Sequence, residues 1–338
     1  MRRLPAEWEK QAGVLMAWPH PGTDWEPWLE MVIPVYLEII KAIVPYEKVV
    51  LVGPDKKAIE ETLSRHGLSE NIIVSEILNN DTWARDFGPI GVYEGDEVLL
   101  LDFGFNGWGL KFPSNHDNQI TQHLVKKQVM KDTLLIPGLI LEGGSIESDG
   151  QGTLLTTTEC LLNPNRNPHL SKEQIEEQLE RWLGARKVLW LDHGYLAGDD
   201  TDSHIDTLAR LCPGQQILYV TCSDEKDEHY PALKALEEQL ATFTDQEGKP
   251  FKLVGLPWPS ACFAEDGERL PATYANFLFI NEAVLVPTYG VPEDEAALKI
   301  FEEAFPARKI IAINCRVLIE QHGSLHCITM QLPEGALA

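Results

Sequence analysis

Apolar residues fall along the chain in two alternating patterns. Short aliphatic runs such as 48–54 (KVVLVGP) and 71–77 (NIIVSEI) have the length and β-branched content of buried strands. Between such runs lie stretches whose apolar positions suit helices, at 25–46, 55–66, 117–129, 171–183, 231–243 and 293–305. Pro34 should end or kink the first part of 25–46, because a proline inside a helix removes a hydrogen bond and clashes with the preceding turn. Asp55 and Gly67 punctuate the second helix, and Ser171 with Gln174 three residues on forms a capping pattern for the fourth. Further strands are predicted at 98–103, 133–137, 153–162, 187–192, 217–222, 251–256, 283–287 and 309–313. A strand, helix, strand, loop unit of an α/β fold thus recurs about five times.

If these units stack around an axis, the loops after their strands converge at one end; an open α/β sheet would instead line them along an edge. No proline-rich, serine-rich or charge-block linker divides the sequence, so residues 1–338 read as a single domain.

Charge narrows the set of partners. Lys+Arg number 28 against 52 Asp+Glu, a net charge of -24, which repels phosphate backbones and anionic membranes and favours cationic ligands. Acidic surfaces also serve solubility alone, so the excess supports a cationic substrate without identifying one. The N-terminal stretch lacks the apolar core of a signal peptide, and no apolar run approaches membrane-spanning length. Six cysteines are scattered without a disulfide-framework spacing, and a reducing, cytoplasmic location is expected.

Candidate chemistry gathers around Cys327 in 323–329 (GSLHCIT). A lone cysteine is more often a small buried hydrophobe than a nucleophile, so the case rests on what could meet it. His326 is adjacent, but in an extended segment its ring would point to the opposite face. The better partner is His204, which at i, i+2 spacing shares one side of an extended segment with Asp206. Asp86 in 82–89 (TWARDFGP) and Glu142 before Gly143-Gly144 are further carboxylates in unusual settings. Trp83 and Trp108, in or beside glycine-containing loops, suit either the core or a pocket for a flat cation. The run 199–206 (DDTDSHID) is dense in donors but fails the EF-hand pattern, and the glycine-rich 142–152 lacks the Gly-Lys-Ser/Thr of a phosphate loop. Neither a metal nor a nucleotide is expected.

One thiol, one histidine and three carboxylates exceed what a cysteine protease requires. The extra anions suit a planar cation whose N–H groups pair with carboxylates in forks, namely a guanidinium. At this point 4–8 (LPAEW), 16–19 (MAWP), 82–89, 105–109 (FNGWG), 142–153, 163–168 (NPNRNP), 204–206, 274–277 (YANF), 287–290 (PTYG) and 326–327 (HC) together give a resemblance. The chain is similar to the agmatine deiminase and bacterial peptidyl-arginine deiminase-like group of guanidino-group modifying enzymes over nearly its whole length. That resemblance implies a five-fold pseudosymmetric α/β propeller (pentein) and hydrolysis without metal or organic cofactor. It implies Cys327 as nucleophile, His204 as general acid/base, Asp86 and Asp206 as guanidinium-binding carboxylates, and Glu142 as the residue holding the histidine.

Agmatine is the expected substrate, with free arginine, peptidyl arginine or another guanidino compound as the alternatives and a silent polyamine-binding protein as the rival class. Trp83, Trp108, Asp202, Arg85 and Asn276 are the substrate-binding candidates. A distal ammonium could be received by Asp199, Asp200, Asp202 or Glu147, and a distal carboxylate by Arg85 or Lys111. Expected partners are thus a small cationic guanidino compound, with no nucleic acid and no membrane, and self-association as a homo-oligomer is left open. Gln321-His322 and Ser203 depart from the group's usual glycines, on loops that bear on the far end of the substrate.

Overall fold

The structure, a computed structural model, describes residues 2–338. It is a mixed α/β protein with five small sheets, and each repeats one plan: a first strand antiparallel to a second, which is parallel to a third. The five triplets begin at Ile90–Glu94, Ile146–Ser148, Ala209–Cys212, Leu278–Ile280 and Met330–Pro333. Their second strands are Glu97–Leu101, Thr153–Thr157, Gln216–Val220, Ala283–Thr288 and Gln11–Ala17. The parallel third strands are Leu134–Leu135, Lys187–Leu191, Lys252–Leu256, Lys309–Asn314 and Lys48–Gly53. Parallel neighbours require a crossover, and helices such as Lys172–Leu183, Tyr230–Leu240 and Asp294–Ala304 supply it. The fifth triplet joins the two chain ends, since Met330–Pro333 pairs with Gln11–Ala17.

Burial explains which strands the sequence reveals. Second strands such as Gln216–Val220 and Thr153–Thr157 are buried throughout, and Ala283–Thr288 is buried except at its last residue, so these read as apolar runs. The first strands went unpredicted, along with Gln11–Ala17. They are short, and three carry polar side chains inward: Glu147 and Arg210 form a buried ion pair, and Gln331 receives Arg85. A charged residue in a short run masks the strand signal, and only a partner from another unit makes it tolerable inside.

Other boundaries need correcting. Pro34 does not end its helix; Leu29–Ile43 runs continuously through it, after a 3-10 turn at Glu26–Trp28. Val32, Tyr36, Ile39, Ile40 and Ile43 bury one face of that helix, and such packing offsets one missing hydrogen bond. The expected strand 153–162 stops at Thr157, whose hydroxyl caps a short helix, Thr158–Leu161. The predicted helix 117–129 is shorter, a 3-10 turn followed by Ile120–Lys126, and strand 133–137 shrinks to Leu134–Leu135.

The candidate residues share one position in this plan. Asp86, Glu142, Asp206, Asn276 and Cys327 each stand a few residues before the first strand of a different triplet.

Candidate active site

A cavity of about 180 Å³ is lined by Asp86, His204 and Cys327, with Trp83, Trp108 and Phe112 among its walls. Cys327 lies in a turn rather than an extended segment, and it is 8% exposed. The Asn276 side-chain oxygen accepts from the backbone N–H of His326 at 2.8 Å and of Cys327 at 3.3 Å, and from the Cys327 thiol at 3.4 Å. Asn276 therefore positions the Cys327 turn from behind rather than lining the cavity. Burial, together with the nearby charges of Asp206 and Asp86, pushes the Cys327 thiol well up, so the resting sulfur is protonated.

His204 caps a 3-10 turn, Ile205–Thr207, in place of the expected extended segment. The turn still brings His204 and Asp206 together, because three atoms converge on one glycine. A Cβ at Gly144 would lie 2.6 Å from His204 Nδ1, 2.9 Å from Asp86 Oδ1 and 3.2 Å from Asp206 Oδ2. His204 Nε2 is buried and has no hydrogen-bond partner. Burial pushes this imidazole down to about 3 against the opposing charge of Asp206, so it is neutral at rest.

The two aspartates are held differently. Asp86 Oδ2 accepts from the Trp108 indole N–H at 2.9 Å, and Oδ1 from the Gly144 N–H at 3.0 Å. Burial and the charges of Asp206 and Glu142 nevertheless push Asp86 well above the carboxylate range. Burial would raise Asp206 too, but the hydrogen bond from His326 Nδ1 at 2.7 Å, together with the charges of His326, His204 and Arg210, outweighs it and keeps Asp206 low. Asp206 sits fully buried behind the cavity wall, and its Oδ1 has no partner. The site thus holds acceptors that this chain leaves unfilled, a costly state that a cationic donor would relieve.

Other candidates are placed elsewhere. Glu142 makes no hydrogen bond to His204; both its oxygens accept from Arg166 Nε at 3.0 Å, inside the protein. Glu142, Cys160 and His204 offer donor atoms within 4.8 Å of one another. Arg166 already occupies the carboxylate, and burial with the charge of Glu142 pushes the Cys160 thiol well up, which suits an ion pair better than a metal. Asp202 does not line the cavity: it binds Arg166 at 2.6 Å, Lys111 at 2.9 Å and Asn165 at 3.1 Å. Those bonds, against the cost of burial, hold Asp202 at about 2.

Arg85 turns away from the cavity. Its guanidinium meets Glu7 at 3.3 Å and Gln331 at 2.5 Å, beside a separate recess of about 40 Å³. Adjacent residues point apart, so the short helix Ala84–Phe87 sends Asp86 one way and Arg85 the other. Glu147 is likewise spent on Arg210. Lys111 is bound to Asp202 and to the Asp200 carbonyl.

Two acidic wall residues, Asp24 and Asp81, carried no sequence signal, whereas Asp199, Asp200, Gln321 and His322 stand where the sequence placed the far end of the substrate. Asp24 and Asp81 join Asp199 and Asp200 along the cavity, and Gln321, His322 and Gly323 complete it. Burial and the charge of Asp24 raise Asp81 to about 7. Gly323 is required by contact, since a Cβ there would fall 2.0 Å from the Trp83 ring. Among the described residues no lysine or arginine lines the cavity.

Comparison with known proteins agrees with this geometry. The model of the Porphyromonas-type peptidyl-arginine deiminase family matches residues 3–333. A curated relative from Marinomonas sp. (strain MWYL1), named "Putative agmatine deiminase", is 36% identical, covering 98% of this chain and 94% of its own. The solved "Putative Arginine Deiminase" from Porphyromonas gingivalis is 45% identical with a TM-score of 0.94, covering 100% of both chains. A C. jejuni agmatine deiminase, solved as a cysteine-to-serine variant with substrate bound, is 40% identical with a TM-score of 0.92, covering 99% of this chain and 97% of its own. An amidinotransferase from Microseira wollei at 12% identity and a TM-score of 0.53 shares the fold alone.

Proposed function

From the premise that the chain belongs to the Porphyromonas-type peptidyl-arginine deiminase family, we propose that it hydrolyses the guanidinium of agmatine to N-carbamoylputrescine and ammonia. The observation that carries the reading is the cavity itself, where a thiol, a neutral imidazole and the carboxylate of Asp86 meet with no cation lining the walls. A guanidinium supplies what this site lacks. Its positive charge favours the anionic forms of Asp86 and Cys327, both of which burial and like charge hold up in the empty site. Its N–H groups are donors for Asp86 at the wall and, once the guanidinium seats deeply enough to reach past that wall, for the unfilled Oδ1 of Asp206.

The chemistry is nucleophilic catalysis with one acid/base group. Cys327 Sγ bonds to the guanidinium carbon while the thiol proton passes to His204. His204 then protonates one amino group as its C–N bond breaks, ammonia leaves, and a thiouronium cation remains on sulfur. Neutral His204 next takes a proton from water as the water oxygen adds to the same carbon. Collapse breaks the C–S bond, the added hydroxyl's proton returns the thiol, the ureido product leaves, and the proton remaining on His204 passes to solvent, where it converts the departed ammonia to ammonium. The electrophilic carbon is carried by the substrate, and no step calls for a metal or an organic cofactor. Trp83 flanks the cavity and Trp108 orients Asp86, while Glu142, held by Arg166, adds its charge to those that raise Asp86.

The five sheets of one plan, each bringing a functional residue to the same topological point, support closure into a five-fold propeller of one catalytic domain. The axis would be occupied by the polar first strands, and the cavity would open at one end of it.

Substrate choice follows from the walls. A distal ammonium would meet Asp24, Asp81, Asp199 and Asp200, whereas a distal carboxylate would be desolvated without a partner because Arg85 and Lys111 are committed elsewhere. Ammonia release from agmatine, free arginine and a peptide with C-terminal arginine tests this directly. Agmatine should exceed arginine in kcat/KM by at least about a hundredfold, roughly 2.7 kcal/mol. Equal efficiencies, or a preference for the peptide, would transfer the assignment to arginine or peptidyl-arginine deimination.

A further inference from the structure

His326 stands beside the nucleophile in sequence yet takes no part in the steps above. Its ring is 1% exposed and bonded at both nitrogens. Nδ1 lies 2.7 Å from Asp206 Oδ2; Nε2 lies 2.6 Å from Glu7 Oε2 and 3.0 Å from Arg210 Nη2. The two carboxylates depend on it unequally. Glu7 also receives Arg85 at 3.3 Å, Arg210 at 3.0 Å and the Phe279 N–H at 2.8 Å, so it keeps three donors without His326. Asp206 is fully buried, and His326 is the one hydrogen-bond donor to its carboxylate among the described residues. An unpaired buried carboxylate takes up a proton rather than remain charged.

We propose that His326 is the positioning residue of Asp206, fixing that carboxylate's orientation and keeping it anionic by donating from Nδ1, with the ring held in turn by Glu7 and Arg210 at Nε2. Both ring forms allow this. An imidazolium donates to Asp206 and Glu7 together, while the neutral ring that keeps the Asp206 bond accepts from Arg210 at Nε2 and no longer bonds Glu7, whose oxygen is then a second acceptor 2.6 Å away. His326 touches neither the cavity nor the substrate; it acts through Asp206, and Asp206 through the guanidinium. Glu7, from the N-terminal segment, and Arg210, from the first strand of the third triplet, thereby bear on substrate binding from the far side of the wall.

The inference rests on the guanidinium reading of the site but not on agmatine as the substrate. It is tested with two isosteric amides. The amide nitrogen of His326→Asn can occupy the place of Nδ1 and still donate to Asp206; that of His326→Gln can occupy the place of Nε2 and reach Glu7 instead. Both variants, with wild type, are assayed on the best substrate of the guanidino panel across pH, and their melting temperatures are recorded. His326→Asn should keep kcat/KM within about tenfold of wild type. His326→Gln should lose at least about a hundredfold, with KM raised, and the acid limb of its kcat/KM profile should move to higher pH because Asp206 protonates more easily. Equal losses in the two variants, or an unmoved acid limb in His326→Gln, would overturn the positioning role and leave His326 a packing residue, and unequal melting temperatures would not rescue it. Wild-type protein inert toward every guanidino substrate would overturn the reading of the site, and this inference with it.

Discussion

At the scale of single residues, the nucleophilic role proposed for Cys327 depends on a cation entering the site. Its thiol is raised by burial and by Asp206 and Asp86, so a neutral alkylating reagent meets a protonated sulfur, whereas a cationic one brings the charge that favours thiolate. A haloacetamidine should therefore alkylate Cys327 at least about tenfold faster than iodoacetamide relative to their rates with a free thiol, about 1.4 kcal/mol. Equal relative rates, measured by mass spectrometry of the modified peptide, would remove substrate-assisted activation. Cys327→Ser should lose turnover while retaining the fold; activity within about tenfold of the parent would sink the covalent route. Asp86→Asn should damage kcat as well as KM, because the amide cannot take a charge-assisted fork from the guanidinium. A change confined to KM would assign Asp86 to binding alone.

At the scale of elements, the 3-10 turn Gly143–Ser145 shows how little room the site has. Gly144 donates its N–H to Asp86, and any side chain there would press on His204, Asp86 and Asp206 together. Gly144→Ala should lower kcat/KM by at least about a hundredfold with a smaller change in melting temperature, since the contacts crowded are catalytic groups. Wild-type kinetics for Gly144→Ala would mean the three groups can separate without cost. Six helices and most second and third strands were legible from apolar periodicity. The first strands were not, because residues such as Glu147 and Arg210 interrupt their apolar runs and find counter-charges only in other units, Glu147 in Arg210 and Arg210 in Glu147 and Glu7.

Across the whole molecule, buried carboxylates couple stability to pH. Burial raises Glu47, Asp81 and Asp117 to about 7, and Asp86 well above its ordinary value. These groups carry protons in the folded protein at pH values where the unfolded chain has lost them, so folded protein binds more protons and stability falls as pH rises through the folded values. His204, pushed down to about 3, has the opposite sign, but its effect is spent between about 3 and the ordinary histidine value near 6.5. Between pH 6.5 and 8 the carboxylates decide. The melting temperature should drop across that window, and Asp81→Asn should shrink the drop; a flat profile by calorimetry would contradict the burial of these groups as acids.

The order of elements, the recurrence of the unit, the acidic charge and the chemistry of one thiol, one histidine and three carboxylates were properties of the sequence alone, because periodicity and residue type are local. Which carboxylate serves which partner was not. Arg85 and Asp86 are neighbours in the chain, and only the packing around Glu7 and Gln331 turns one inward and leaves the other to the cavity. Glu142 is committed to Arg166, Asp202 to Arg166 and Lys111, and Asp206 to His326, through contacts that span as many as 120 residues. A charge buried in protein must find its counter-ion wherever the fold brings one, and sequence spacing carries no record of that choice.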